Sequence, residues 1–322
     1  MKSIILTSAL IALAVVFCSA QPNLLWESSY NGVIANDQPN VMAVDAAGNV
    51  YVTGYTDTPN GTTDYLTIKY DPNGNILWTQ TYNGPANGND EALAIKVDAS
   101  GNVYITGKSK GPSNRHDIAT IKYNASGTQL WASVFVGSDD PINAGHNIVV
   151  DVFGNVYVAG VHYTVIGSTY SDYGIVIKYN SSGAMQWNVH QYRNVGQNLI
   201  IVNPNDGNII VSGGSGIYTS NRYYVRALNA SNGSTIQEYN SASTYAFGVP
   251  IALSLDGVGI IYITSEASQS GTSATRRLNT AKFTYPGGSN QSYAWLNATY
   301  VGGATLHGVD MKLDGNNNVY VL

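Results

Sequence analysis

The stretch DASGNVYITG, from Asp98 to Gly107, recurs almost unchanged as DAAGNVYVTG from Asp45 and as DVFGNVYVAG from Asp151. Gly48, Gly101, Gly154 and Gly207 stand 53 residues apart each time, and Gly259 follows after 52. A period of that size demands a repeated supersecondary unit that buries its faces against copies of itself. A sixth start, DGNNNVYVL from Asp314, has Asn317 where the glycine would be, and asparagine is the next-best residue at positive φ.

A second turn follows each of the first two by 26 residues, as DPNGN from Asp71 and NASGT from Asn124. It returns as NSSGA from Asn180 and, stretched by one residue, as NASNG from Asn229. The leading Asp or Asn accepts backbone amides, Pro72 presets φ, and glycine supplies the left-handed residue of a three-residue hairpin with a bulge. Between the turns lie ALAIKV, NVYITG, IATIKY and QLWASVFV, which alternate with period two and are rich in β-branched and aromatic residues. These are strands, and no window of ten residues or more carries a helical period. Each period therefore reads as a four-stranded antiparallel meander, which needs neighbours to cover both faces.

The fourth strand carries Trp26, Trp78, Trp131, Trp187 and Trp295 in successive units, with Ile236 or Gln237 in that place in the fourth. Rings at one point of a repeat read as packing between sheets. Four-stranded units repeated about an axis describe an all-β β-propeller. The units span 37–83, 90–137, 143–191, 196–240 and 246–301, with a partial one over 306–322. Residues 24–31 are expected to be the outer strand of the closing blade, which removes exposed edges. Because the sequence stops inside the second strand of the sixth unit, six or more blades are expected, the last incomplete, as from a truncated frame.

Residues 1–20 hold one Lys, an apolar run from Ile4 to Phe17 and small residues to Ala20, the pattern of a secretory signal cleaved before Gln21. The run is short for a membrane span, so 21–322 is expected to be a single exported propeller domain with no membrane contact after cleavage. Cys18, the only cysteine, would leave with the signal, so disulfides and thiolate metal sites are not expected. A net charge of -5 argues against nucleic acid as a partner.

The run from Asn89, NDEALAIKVDASGNVYITGKS, followed by DIATIKYNASGTQLW from Asp117, resembles the bacterial SBBP β-propeller repeat. The resemblance spans roughly 24–322 and is strongest from Asp37 to Trp187; NDGNIIVSGG and DGVGIIYITSEAS, in units four and five, depart from it. It implies secretion and a propeller, and it assigns no catalytic residue.

Motif chemistry is sparse. DPNGN and DASGN begin like a calcium loop but lack its glycine spacing and its closing Glu. The sialidase-type S-x-D-x-G-x-T-W box fails on spacing. ALNASNGSTI, from Ala227, resembles the docking turn of quinone-dependent dehydrogenase propellers, a structural lock before it is catalytic. No G-x-S-x-G, P-loop or dinucleotide fingerprint appears. His116, His146, His162, His190 and His307 form no H-x-H or H-x-x-x-H pair, so no metal site and no cofactor are expected. Asp37 and Asp90, eight residues before the turn Asp, and His146 and His307, early in first strands, would share the axial rim and are the candidate binding residues. They either cap strand ends or bind a sugar or cation. Lys69, Lys122 and Lys178 are expected to be a solvated stripe. Two functions follow. The first is a secreted, non-catalytic scaffold meeting a glycan, a peptide or another extracellular domain. The second is an extracellular enzyme, glycan-cleaving or quinone-dependent.

Overall fold

The computed structural model describes residues 24–321 apart from 33–35, 113–114, 138–142, 167–168, 194–198, 216–221, 241–246, 269–275, 284–294 and 300–310. Among these residues all regular structure is β-strand. The first sheet is β1 (Asp37–Val44), β2 (Val50–Asp57), β3 (Thr63–Tyr70) and β4 (Ile76–Tyr82), hydrogen-bonded in that order. The second is β5 (Asp90–Val97), β6 (Val103–Lys110), β7 (His116–Tyr123) and β8 (Gln129–Phe135). The third is β9 (Ala144–Val150), β10 (Val156–Ile166), β11 (Thr169–Tyr179) and β12 (Met185–Arg193). The fourth is β13 (Leu199–Val202), β14 (Ile209–Ser215), β15 (Arg222–Leu228) and β16 (Thr235–Asn240). The fifth is β17 (Phe247–Leu255), β18 (Ile261–Ser268), β19 (Arg276–Phe283) and β20 (Trp295–Thr299), and β21 (Met311–Leu313) with β22 (Val319–Val321) begins a sixth. Every pairing is antiparallel between consecutive strands, and each first strand packs on the sheet before it, β5 on β1–β3, β9 on β5–β7 and β17 on β13–β15. The chain is a β-propeller of stacked meanders.

The recurrent motif is a hydrogen-bond network in miniature. Asp98 takes the amides of Ser100 and Asn102 at 2.9 Å, the Asn102 side chain at 2.8 Å and the Tyr104 hydroxyl at 2.9 Å. The same bonds recur at Asp45, Asp151 and Asp314. The order Asp, Gly, Asn, Tyr is therefore one device: the carboxylate satisfies the turn, the glycine adopts φ +77 at Gly101, and the tyrosine hooks the strand to it. Burial alone would raise the Asp98 carboxyl, but the bonds from Asn102, Tyr104 and Ser100 hold it below its ordinary value.

The seams between blades repeat as well. The added-Cβ position of Gly127 lies 2.9 Å from Trp78, that of Gly183 2.6 Å from Trp131, and that of Gly233 2.9 Å from Trp187, so each indole lies flat on a turn glycine of the next blade. Trp78 Nε1 and Lys69 Nζ both donate to the Ala125 carbonyl at 3.2 Å, and Trp187 and Lys178 do the same to Ala230 at 3.3 and 2.7 Å. The lysines are not the solvated stripe their alternation suggests. Lys69 is 8% exposed and Lys122 9%, with the ammonium groups 5.1 and 5.0 Å over the Tyr51 and Tyr104 rings. The third-to-fourth strand hairpin explains this, because its bulge beyond Lys69, Lys122 and Lys178 sets each lysine opposite the tryptophan, and Lys69 and Lys178 there reach the same carbonyl as the indole.

In the fourth blade the unit changes as a whole. Ile210, Ala227 and Gln237 occupy the places of Tyr51, Lys69 and Trp78, which puts Gln237 rather than Ile236 in the tryptophan position, and Tyr262, Lys282 and Trp295 restore the set one blade later. The sequence between β19 and β20 lacks the Asn-x-x-Gly turn that would receive such a clamp. The fourth seam is apolar instead, with Ile210, Val225 and Ala227 against Ile261, Ile263 and Phe283.

Residues 24–32 lie outside the sheets, yet Trp26 stacks on Tyr70 at 6.0 Å and its indole is 2.7 Å from the added-Cβ position of Gly74. That is the seat Trp78, Trp131 and Trp187 take on the following blade.

Candidate functional site

The expected rim lies where fourth strands return to first strands. Asp90 is fully buried, and its two oxygens accept the Gly84 amide at 2.6 Å and the Lys110 amide at 2.8 Å. It ties the connection between blades to the end of β6. Asp37 sits in the equivalent place and accepts the Gly32 amide at 2.7 Å, leaving Oδ1 buried without a partner. These two carboxylates hold loop backbone. His307 lies outside the described residues.

His146 stands at the bulge of β9 and is partly buried; burial and the nearby Lys108 charge push its imidazole below the ordinary value. Lys108 pairs with Glu91 at 2.7 Å, and Glu91 accepts the Asn40 side chain at 3.1 Å. Asn40, at the equivalent bulge of β1, also donates to the Ala92 carbonyl at 2.8 Å. A polar row thus runs from Asn40 through Glu91 and Lys108 toward His146 across three blades. Of the expected rim residues this row contains His146; its other members were not legible, since Asn40, Glu91 and Lys108 share no motif and meet only when first strands lie side by side.

A second polar group is the Asp64–Asp90 pair at the first seam. Burial and then the Asp90 charge push the Asp64 carboxyl up to about 6, and Asp64 Oδ1 is buried without a partner. Ser109 Oγ lies beside the same Gly84 corner. Among the described residues no three His, Cys, Asp or Glu side chains gather as a metal site.

The face of the first sheet turned away from the second carries a groove of about 590 Å³ between Trp26 and Tyr30 and the side chains of Val50, Val52, Ile68 and Tyr70. The matching face of the second sheet, Val103, Ile105, Ile121 and Tyr123, is buried against the first blade. The groove therefore has the lining of a seam between blades.

Residues 32–65 match the family model of the SBBP beta-propeller repeat. Among curated proteins no match is found. Among solved structures, the chain resembles a Trp149Ala mutant of the Synechocystis apocarotenoid oxygenase with a TM-score of 0.51 and 8% identity, over 84% of this chain and 63% of that one. It resembles an apocarotenoid oxygenase/RPE65 chimera with a TM-score of 0.50 and 8% identity, over 87% of this chain and 65% of that one. A protein from Lactobacillus plantarum aligns at 15% identity over 89% of this chain and 78% of its own, with a TM-score of 0.49. The chain thus spans 58 to 65% of the first three such structures, all of them oxygenase forms. At these identities the likeness is one of fold.

Proposed function

We propose that this propeller is an exported, non-catalytic scaffold that binds a glycan, a peptide or another extracellular domain through the loops and rim at the Asp90 end of its blades. The observation that carries this reading is the state of Asp90. A glycosidase needs two carboxyl groups about 5 to 10 Å apart, one free to protonate the leaving oxygen and one free to attack or to activate water. Both Asp90 oxygens are taken by backbone amides, and one oxygen of Asp37 holds the Gly32 amide. The polar row from Asn40 to His146, by contrast, offers amide, carboxylate, ammonium and imidazole groups on adjacent first strands, a set suited to hydroxyl and amide ligands. Export rests on the pattern of residues 1–20.

The test is direct. The purified chain is screened against immobilised polysaccharides and peptides, with reducing-end release followed in parallel. Saturable retention of one ligand class, weakened by Glu91→Gln, with no release of product, is the expected result. Sustained turnover of a polysaccharide would refute the scaffold reading.

A further inference from the structure

Because the blades are copies, each is a control for the others. The residue at the start of the first strand is Asp37 in the first blade and Asp90 in the second, and its counterpart in the third is Asn143, just before β9. Opposite it on the second strand stand Thr56, Ser109 and His162. Three residues beyond the tryptophan stand Thr81, Val134 and His190. The third blade departs at all three positions, and in space the departures meet.

Asn143 is buried. Its Nδ2 donates to the His116 carbonyl at 2.9 Å, and its Oδ1 accepts the Tyr163 amide at 3.1 Å and lies 3.0 Å from His162 Nδ1. An amide oxygen can only accept, so the hydrogen of the His162 ring is on Nδ1 and the lone pair is on Nε2. His162 is 2% exposed, and its ring centroid is 4.9 Å from that of the exposed His190. A ligating imidazole holds its centroid about 3.2 Å from a zinc-type ion, given a metal–nitrogen distance of about 2.0 Å. Two centroids 4.9 Å apart, with the rings inclined at 43°, are near enough to share one ion, at which they would subtend about 100°.

We propose that His162 and His190 form a binding site for a divalent zinc-class ion, with Asn143 as the positioning residue that fixes the His162 tautomer. A carbonyl-type acceptor behind a ligating imidazole is the usual outer support of such sites. Water completes the coordination, since no third His, Cys, Asp or Glu joins the two among the described residues.

The experiment is calorimetric titration of the untagged full chain with Zn²⁺ at pH 7.5. One saturable site per chain is expected. His162→Gln and His190→Gln should each weaken it by about tenfold or more, since even a change behind a ligand costs about 10–100-fold, while His116→Gln and His146→Gln leave it unchanged. Cu²⁺ bound in its place should show nitrogen hyperfine splitting from two imidazoles, falling to one in His190→Gln, a surface change that the fold tolerates. Asn143→Asp keeps an oxygen acceptor against Nδ1 while giving up the Nδ2 bond to the His116 carbonyl, and should retain the site; loss of binding there would refute the positioning role. Absence of saturable heat from the folded chain, or binding that survives both ligand substitutions, would overturn the proposal and leave the two rings as packing alone.

Discussion

Gly183 and Gly154 lie in two turns of the same blade, both at positive φ, +85 and +78, and differ in what an added methyl group would meet. At Gly154 the nearest atom is Ser181 Cβ at 3.4 Å, an ordinary contact. At Gly183 three atoms of the Trp131 ring lie at 2.6, 2.8 and 3.0 Å. Gly154→Ala should therefore cost only left-handed backbone strain, about 1–2 kcal/mol. Gly183→Ala carries the same strain and must also lift an indole whose Nε1 donates to the Ser181 carbonyl at 3.1 Å. Overpacking of this kind costs about 1–3 kcal/mol more, giving about 2–5 kcal/mol in all. Urea unfolding at pH 7, followed by indole fluorescence, compares the two variants with the native chain. The extra cost of Gly183→Ala should disappear when Trp131 is first replaced by Leu, because the methyl group then has room. Equal losses for the two alanine variants within about 0.5 kcal/mol, or an extra cost that persists without Trp131, would refute the idea that blades are held by indoles laid on turn glycines.

Other consequences follow from the same seams. Lys178→Met should lose about 1–2 kcal/mol in urea unfolding, since it removes both the 2.7 Å bond to Ala230 and the ammonium 5.3 Å over the Tyr157 ring, whereas Lys96→Met on an exposed position should be silent. Asp98→Ala removes an acceptor serving four donors and should cost about 2–4 kcal/mol, with Tyr104 left unpaired. Asp64, raised to about 6 when folded against 3.8 as its ordinary value, contributes stability that is present at pH 3.8 and below and is lost as pH rises through 6. Asp64→Asn should thus raise the melting temperature at pH 8 more than at pH 4; an equal change at both would count against the buried pair. His162 has the opposite sign, its value falling from 6.5 to about 4, so the third blade should weaken as pH drops from 6.5 toward 4, a dependence that His162→Gln removes in hydrogen exchange of β9 and β10 amides.

The architecture was largely legible because it rests on local chemistry repeated many times. Asp, Gly and Asn at fixed offsets dictate the turns, alternation dictates the strands, and the 53-residue spacing dictates stacked copies. The tryptophan seats were legible for the same reason, since a ring recurring at one register point has one structural job. The lysines misled because alternation distinguishes the two faces of a sheet but not whether the polar face meets water or a neighbour. Lys69 and Lys122 sit on the face that another blade covers, and their charge is accommodated by a carbonyl or a tyrosine ring.

The rim shows the same limit. Asp37 and Asp90 were found by position, but whether a carboxylate at a strand start serves a ligand or an amide depends on loops several residues away, and Gly84 and Lys110 claim Asp90. The Asn143, His162 and His190 cluster was within reach of a closer alignment of the repeats, because all three depart from their counterparts; without the ladder from β9 through β10 and β11 to β12, no spacing rule joins residues 19 and 28 positions apart. What the sequence determined by itself is the repeating unit, since each turn is decided by contacts within about six residues. What only the tertiary structure decided is the use of each polar side chain, since that depends on which neighbouring blade lies over it, and the energy of a buried charge is set by the partner it meets there.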